Sequence, residues 1–286
     1  MEKDVISIIQ EKRACFSKGQ NRIARYITEN ADKAAFMTAS KLGQKADVSE
    51  STVVRFALEL GFEGYPEMRK ALQEMIRNRL TSVQRIEVAK TVIGGRDTLS
   101  AILNSDMENI LRTQNSLDRA RFDEAVEALL RAKKIYILGT RTSASLSTFM
   151  GFYFNLLFEN VRVLAENTAG EIYEQLMRIG PEDVFVGISY PRYSKRTATA
   201  VRFAKERGAL VLALTDAAAS PIAEVADICL LARSDMVSFV DSLVAPLSLI
   251  NALIVEVSKR KPGVSGTFSE LEEIWNKYEV YEKNSD

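Results

Sequence analysis

Five short apolar runs in the second half of the chain place the strongest constraint on its fold. Each is nearly all apolar, and segments with helical spacing of apolar residues separate one run from the next. The runs are 135–138, 161–164, 184–188, 210–214 and 228–231. Strands that are apolar on both faces and alternate with helices are typical of a parallel sheet covered on both sides. The sequence therefore predicts a C-terminal α/β domain with a five-stranded parallel sheet.

Two loops, which follow the first and third of these runs, predict a binding site. Loops 139–143 and 189–197 each open a predicted helix, and ligands of parallel sheets bind outside the carboxyl ends of the strands. Hydroxyl groups and free main-chain amides at helix N-termini bind anions, and arginines add positive charge. We therefore expect a phosphomonoester to bind the following residues: Gly139, Arg141, Ser143, Ser189, Arg192, Ser194 and Thr197. The alternative is that the hydroxyl side chains only cap the two helices.

The first loop does not have the pattern of a nucleotide-binding loop. A dinucleotide fingerprint requires three glycines, and Arg141 stands where the second glycine belongs. The Walker pattern is also missing from this loop. The expected ligand is therefore a phosphate attached to a small molecule.

A stretch in the first part of the chain, 38–64, has the pattern of two helices joined by a tight turn. Ser49 is placed to cap the second helix and Gly61 to end it, and between them four apolar residues share one face. The other face carries short hydroxyls and an arginine near the helix start, which is the arrangement of a major-groove reader. The expected DNA contacts are Lys41, Gln44, Lys45, Ser49, Ser51, Thr52 and Arg55. The alternative is an ordinary helical hairpin with a solvated polar face.

The amino-acid sequence of this stretch is similar to that of a known family. The run VSESTVVRFALELGFEGYPEMR resembles the helix-turn-helix of RpiR-type bacterial transcriptional regulators, and the resemblance extends from about Lys18 to Leu80. Gly43 and Asp47 depart from the usual Ala and Gly of such motifs. Basic residues of the preceding segment, Arg22 among them, are further candidates for contacts to the phosphate backbone.

Residues from about 120 to 260 resemble an SIS (sugar isomerase) domain, the phosphosugar-binding module of RpiR-type regulators. The supporting run is DVFVGISYPRYSKRTATAVRFAKERGALVLALTDAAASPIAEVADICLLA. The general pattern of the second phosphate loop is Ser-x-Ser-Gly-x-Thr. Ser189 keeps its first serine, whereas Arg192 replaces the glycine and Ser194 the threonine. In the first loop Ser143 is kept and Arg141 replaces a glycine, so the two arginines either add charge to the site or plug it.

The composition excludes several classes of site. The chain of 286 residues has no net charge and no histidine, which rules out Ser-His-Asp and Cys-His nucleophiles and His-containing zinc sites. Cys15 and Cys229 are far apart and have no metal-ligand spacing, which indicates a reducing cytoplasm. No apolar run reaches the ~18 residues of a membrane span. We expect no catalytic residue, metal, cofactor or membrane contact.

The organisation along the chain predicts two domains. Residues 1–88 form the all-α helix-turn-helix domain, 89–96 a linker around Gly94-Gly95, and 97–286 the SIS-type domain. Residues 1–80 hold 14 Lys and Arg against 11 Asp and Glu, a weak basic bias. Within this part, 65–88 is expected to form one long helix. Segment 240–257 is apolar almost all round, so its helix is buried either in the domain or against a second subunit. The resemblance implies SIS domains that pair, which favours a dimer interface containing this helix.

Together the resemblances imply a cytoplasmic regulator of sugar or amino-sugar metabolism. It would bind double-stranded operator DNA, sense a phosphosugar effector, and assemble as a homodimer or a dimer of dimers. One alternative is an SIS-domain enzyme, either a sugar-phosphate isomerase or a lyase. Another is a structural adaptor without a ligand.

Overall fold

The structure, a computed structural model, describes residues 5–76, 81–93, 97–164, 169–236 and 238–282. The chain divides into two compact units. The first comprises Met1–Thr98 with Val237–Phe239, and the second comprises Leu99–Met236 with Val240–Asp286. The predicted linker at 89–96 stays a prediction.

The described part of the first unit is helical. Its helices are α1 Val5–Lys12, α2 Lys18–Glu29, α3 Ala31–Ala34, α4 Ala39–Ala46, α5 Glu50–Leu60, α6 Tyr65–Ile76 and α7 Ser82–Ile93. Their inward residues form a core that includes Ile23, Leu42, Phe56, Met68 and Leu72, all buried. Burial of each such side chain contributes about 1.5–3 kcal/mol relative to exposure. The first unit is thus held together mainly by apolar packing between short helices.

The prediction of one helix over 65–88 was wrong. The backbone N–H of Thr81 donates to Gln84 Oε1 (2.8 Å), and the N–H of Gln84 donates to Thr81 Oγ1 (3.2 Å). This reciprocal capping box starts a new helix, α7, because the two side chains bind main-chain groups at the helix start. Residues 77–80 lie outside the described residues.

The turn between α4 and α5 brings the two helices very close. Asp47 adopts a left-handed conformation (φ 54°), and the N–H of Val48 donates to the carbonyl of Gly43 (2.8 Å). A Cβ atom on Gly43 would lie 2.8 Å from the carbonyl oxygen of Val48. Glycine at this position therefore permits the close approach of the turn to α4, which explains its departure from the family pattern.

The second unit contains the predicted sheet. Its strands are β1 Ile135–Gly139, β2 Val161–Val163, β3 Val184–Ile188, β4 Leu210–Thr215 and β5 Ile228–Leu231. All four pairings are parallel, and the strand order is β2-β1-β3-β4-β5. The helices are α8 Thr98–Ser116, α9 Arg119–Arg131, α10 Ser143–Leu157, α11 Ala169–Leu176, α12 Lys195–Glu206, α13 Val244–Arg260 and α14 Val264–Lys277. The predicted fold class is confirmed.

Alternate residues of the strands belong to two apolar clusters, one on each face of the sheet. In β3, Val184, Val186 and Ile188 join the cluster that contains α9, α10 and α13, whereas Phe185 joins the cluster that contains α11 and α12. A Cβ atom on Gly187 would lie 2.7 Å from Val201 Cγ2, so this glycine lets α12 pack close to β3. The sheet is therefore covered on both faces, as its continuously apolar strands require.

Helix α13 is buried largely within its own unit. Leu249, Ile250, Leu253, Ile254 and Val257 all belong to the core cluster with α9 and α10. Their apolar character is explained without a second subunit. Three apolar residues of α13 are exposed, namely Val244, Leu247 and Val255. The prediction that α13 forms a dimer interface now rests on these residues alone, and it stays a prediction.

No helix in the described ranges is both long enough and apolar enough to cross a membrane.

We predict that Gly43→Ala destabilises the turn between α4 and α5. The added methyl group meets a backbone carbonyl that cannot move independently, so we expect a cost of ~1–3 kcal/mol. Hydrogen–deuterium exchange of α4 and α5 in the full chain will measure it as faster exchange of these amides. Gly266→Ala is the matched control, because nothing lies within 4 Å of a Cβ there and the site is also helical. Equal effects of the two substitutions would contradict the close-approach argument.

Candidate functional sites

The N-terminus of α5 carries a cluster of hydroxyl groups. Ser49 caps the helix by accepting the N–H of Thr52 (3.3 Å), and its Oγ lies 2.9 Å from Ser51 Oγ and 2.8 Å from Thr52 Oγ1. Gly61 (φ 99°) ends the helix as predicted. The cap and the turn hold the start of α5 at a defined position on the surface of the unit.

The predicted DNA contacts all lie on this surface. Six of the seven are exposed and Thr52 is half-buried; the exposed six are Lys41, Gln44, Lys45, Ser49, Ser51 and Arg55. Arg55 Nε donates to the carbonyl of Ser51 (3.4 Å), and its two terminal nitrogens have no partner among the described residues. A guanidinium group held in this way has donors available for a base edge or a phosphate.

Two exposed apolar residues of α5 were missed by the sequence analysis. Val54 and Leu58 are both exposed and lie on the same face as Ser51 and Arg55. The spacing of 51, 54, 55 and 58 is that of one helical face, and this spacing was the signal available in the sequence. Apolar side chains beside an arginine are suited to contact the methyl group of thymine.

Arg22 forms an ion pair with a residue of the turn between α4 and α5. Its Nη1 donates to Asp47 Oδ2 (2.5 Å), and Asp47 is the left-handed residue of the turn. The ion pair compensates the negative charge of a carboxylate that lies close to the proposed DNA-facing surface. The sequence pattern indicated a phosphate contact for Arg22 because it could not show this partner.

The two predicted ligand loops emerge side by side from the sheet. Strands β1 and β3 are neighbours, with Gly139 opposite Ile188, so the following residues meet at one edge. Thr140 Oγ1 and Thr197 Oγ1 are 3.1 Å apart, and both threonines are buried. A Cβ atom on Gly139 would lie 2.3 Å from the carbonyl oxygen of Ser143, so the glycine allows the first loop to fold tightly. The sheet and this hydroxyl contact bring together the two loops that sequence analysis had paired.

The serines of the loops differ in what they contact. Ser194 caps α12 by accepting the N–H of Thr197 (3.4 Å), and its own N–H donates to Ser189 Oγ (3.4 Å). The capping role that was given as the alternative is therefore real for Ser194. Ser143 is buried, and among the described residues its hydroxyl makes no hydrogen bond. Its oxygen is not one of the fully buried side-chain atoms that lack a partner, so it keeps access to solvent and can contact a ligand.

The two arginines of the loops are exposed. Arg141 adopts a left-handed conformation (φ 56°) at the start of α10, and Arg192 precedes α12. A side chain that plugged the site would be buried by the groups it contacts. The exposure of both residues favours the interpretation in which they add positive charge.

A tyrosine–aspartate pair at the same edge was missed by the sequence analysis. Tyr193 Oη donates to Asp216 Oδ1 (2.8 Å), and Asp216 follows β4, the strand next to β3. Nearby, burial raises the pKa of Tyr190 well above its usual range, with Asp216 and Cys229 adding to the rise. Burial, and then Asp216, also raises the pKa of Cys229 to about 11. Both groups are therefore protonated at neutral pH, and neither is a base.

The arrangement is suited to binding an anion and its hydroxyl-bearing carrier. Its polar groups are hydroxyls, helix N-termini, arginines and one carboxylate. In the described ranges, no three His, Cys, Asp or Glu side chains are grouped as a metal site. A polar cavity lined by Lys133, Tyr136, Arg178 and Asp183 lies at the opposite edge, at the amino ends of the strands. That edge is not where ligands of parallel sheets bind.

Comparison with known proteins finds the same two modules. A family model described as a helix-turn-helix domain of the rpiR family matches residues 3–79, and an SIS domain model matches residues 128–256. The HTH-type transcriptional regulator HexR of Pseudomonas aeruginosa is 27% identical over 266 residues, which cover 91% of this chain and 90% of HexR.

Two solved structures are similar to the chain. The sugar isomerase domain of an RpiR transcription factor from Sphaerobacter thermophilus is 30% identical, with a TM-score of 0.59. The match covers 62% of this chain and 98% of that domain. NanR of Vibrio vulnificus, solved as a complex with ManNAc-6P, is 22% identical with a TM-score of 0.59 and coverage of 96% and 99%. At this identity the likeness to NanR shows the fold.

We predict that the contact between Thr140 and Thr197 stabilises the second unit. Thr197→Val leaves the Thr140 hydroxyl buried without a partner, which costs ~1–3 kcal/mol. The double variant Thr140→Val with Thr197→Val replaces both hydroxyls by methyl groups, so we expect it to be more stable than the single variant. Urea unfolding of the wild type, both single variants and the double variant will measure the coupling. Additive losses would contradict a direct bond between the two loops.

Proposed function

The chain belongs to the RpiR family of helix-turn-helix transcriptional regulators, and on this premise we propose that a phosphosugar bound by the second unit controls operator binding by the first. The operator would lie against α5, and the sugar phosphate between the loops that follow β1 and β3. Regulation requires the effector to favour one DNA-binding arrangement over another. Bacterial operators and phosphosugars both occur in the cytoplasm, which is the compartment this function requires.

The proposed DNA contact is carried by the exposed face of α5. Arg55 lies one turn in from the helix start, between Ser51 and Leu58, on a helix anchored by its cap and by the turn. The first turns of a recognition helix meet base edges, and arginine is the usual partner of guanine there. Lys41, Gln44 and Lys45 on α4 would contact the phosphate backbone and set the register of α5 on the duplex.

The proposed effector site is carried by the unpartnered hydroxyl of Ser143. It lies in the first turn of α10, and the loop that contains Ser189 emerges beside it. A phosphate there would accept hydrogen bonds from hydroxyls and from amides of two helix N-termini, with Arg141 and Arg192 balancing its charge. ManNAc-6P, the ligand of NanR in the solved complex, is one sugar phosphate of the required class.

We propose that the protein binds this sugar phosphate without converting it. The chain has no histidine, and the raised pKa values of Tyr190 and Cys229 make both poor bases near pH 7. The isomerase or lyase alternative requires a proton-transferring group at the loops, and the carboxylate at that edge, Asp216, accepts a hydrogen bond from Tyr193. A homodimer or a dimer of dimers would present two copies of α5 to two operator half-sites.

We predict that Arg55→Ala weakens binding to a duplex selected with the wild-type protein from a random-sequence library. The loss is expected to be ~1–3 kcal/mol at fixed salt if Arg55 reads a guanine. Fluorescence anisotropy will measure it. Lys33→Ala is the matched control, because it removes the same charge from α3 of the same unit. If the two variants bind the selected duplex equally well, Arg55 does not read the operator.

We predict that a sugar phosphate raises the melting temperature of the protein and that the parent sugar does not, because a ligand of the native state stabilises it by mass action. The panel comprises hexose and N-acetylhexosamine 6-phosphates, ManNAc-6P included, each beside its unphosphorylated sugar. Ser143→Ala with Ser189→Ala should abolish the shift and leave DNA binding by the ligand-free protein intact.

Ser248→Ala is the control for the effector experiment, since it removes an exposed hydroxyl from α13. A wild-type protein that no member of the panel stabilises would contradict the effector proposal. Conversion of a panel member to product would instead support the enzyme alternative, and chromatography of the same mixtures will detect it.

A further inference from the structure

A nearly buried carboxylate, that of Asp216, lies at the edge of the sheet where we propose that the phosphate binds. Asp216 directly follows β4 and is 8% exposed. In the pairing of β3 with β4, Ile188 lies opposite Leu214, and the N–H of Ser189 donates to the carbonyl of Leu214 (3.1 Å). Neighbouring strands are about 4.8 Å apart. Asp216 therefore borders the start of the second ligand loop.

The second ligand loop holds this carboxylate in place. Tyr193 Oη donates to Asp216 Oδ1 (2.8 Å), and Thr215 Oγ1 donates to the same oxygen (3.4 Å). A carboxylate has about four acceptor positions, so these two contacts do not exhaust it. Tyr193 directly precedes Ser194, the cap of α12. The hydrogen bond thus ties the carboxylate to the helix N-terminus that we propose binds the phosphate.

The negative charge of Asp216 acts on groups around it. After burial, Asp216 is the largest cause of the raised pKa values of Tyr190 and Cys229. Little water screens a charge of such low exposure, so its effect on a neighbouring group is strong. Because both neighbours are protonated and neutral at pH 7, neither supplies a positive charge to the carboxylate.

A carboxylate at this position weakens the binding of a plain sugar phosphate. Its charge repels the phosphate, and like charges brought together select against a ligand. A sugar hydroxyl could instead donate to the neutral oxygen of an asparagine, which would not repel the phosphate. A ligand that carries a positive group beside its phosphate turns the repulsion into attraction, because a hydrogen bond between two charged groups is among the strongest in proteins.

We propose that Asp216 makes the effector site selective for sugar phosphates that carry a free, protonated amine, which are the hexosamine phosphates. The ammonium group would donate to the carboxylate while the phosphate binds the loops after β1 and β3. The same carboxylate would reject a sugar phosphate that carries a second acidic group. Tyr193 is a positioning residue for this contact. The inference rests on the proposed effector site and names the class of ligand that the site prefers.

A matched set of ligands tests this preference in the full wild-type chain. It comprises the 6-phosphates of glucosamine, galactosamine and mannosamine, each beside its parent hexose 6-phosphate and its N-acetylated form, with 6-phosphogluconate as the acidic member. Isothermal titration calorimetry at neutral pH will give the dissociation constants. We expect a hexosamine 6-phosphate to bind ~10-fold or more tightly than its two uncharged counterparts, and 6-phosphogluconate to bind more weakly than glucose 6-phosphate.

Asp216→Asn tests the charge itself. The amide keeps an oxygen that accepts from Tyr193 but removes the negative charge. We expect the preference for the amine to fall below ~3-fold, while the hexose 6-phosphate binds at least as well as it does to the wild type. Asp183→Asn is the matched control, because it removes a carboxylate of similar exposure, 9%, at the opposite edge of the same sheet. This control should keep the wild-type preference.

Tyr193→Phe tests the positioning of the carboxylate. It removes the hydroxyl that holds Asp216 but keeps the charge and the aromatic ring. We expect a smaller preference for the amine and an unchanged affinity for the hexose 6-phosphate, a split that a general loss of structure would not produce. Circular dichroism will check the fold of each variant. If Asp216→Asn does not fold, the wild-type ranking and Tyr193→Phe decide the question.

Two results would overturn the proposal. One is a wild-type protein that binds the amine-bearing and uncharged members of each pair equally well. The other is an Asp216→Asn variant, or in its place Tyr193→Phe, that keeps the full wild-type preference. In both cases a sugar phosphate still binds, so the effector proposal stands. If no member of the set binds to the wild type, the effector proposal itself fails and the selectivity fails with it.

Discussion

Burial of the central strands on both faces is the constraint on which the second unit depends. Residues of β1 and β3 are all buried, and alternate side chains supply the two clusters that attach the helices. Because both faces are covered, only the strand ends are open to a ligand. The adjacency of β1 and β3 then places two helix N-termini and their hydroxyls at one edge, where we propose that an anion binds.

In the first unit, several contacts hold a short helix, α5, in place at the surface. Because Gly43 has no side chain, the turn approaches α4 closely. Asp47 adopts the left-handed conformation of the turn. Arg22 pairs with Asp47, and Ser49 caps α5. Each contact is modest, since exposed ion pairs contribute little. Together they leave the outer face of α5 free of any structural task, which a DNA-reading surface requires.

The apolar residues of three helices, α5, α8 and α13, differ in what surrounds them. On α5, Val54 and Leu58 are exposed beside Arg55, on the face that we propose contacts DNA. On α8, Leu103 and Met107 are exposed, whereas the polar residues Asn109 and Thr113 are buried. The apolar helix α13, in contrast, is explained by its own core. Exposure in the folded chain, and not hydrophobicity in the sequence, separates these cases.

The sequence by itself determined the strands, the turn after α4 and the two loops that follow β1 and β3, because these follow from local periodicity, caps and glycine positions. It predicted one helix over 65–88 because a capping box between Thr81 and Gln84 resembles ordinary helical sequence. Only the tertiary structure decided that Arg22 pairs with Asp47 and that Tyr193 pairs with Asp216. It also decided that the apolar residues Leu103 and Met107 of α8 are exposed. Periodicity shows which residues share a face, but the hydrophobic effect is not directional. What covers each face is therefore decided by the packing of the whole chain.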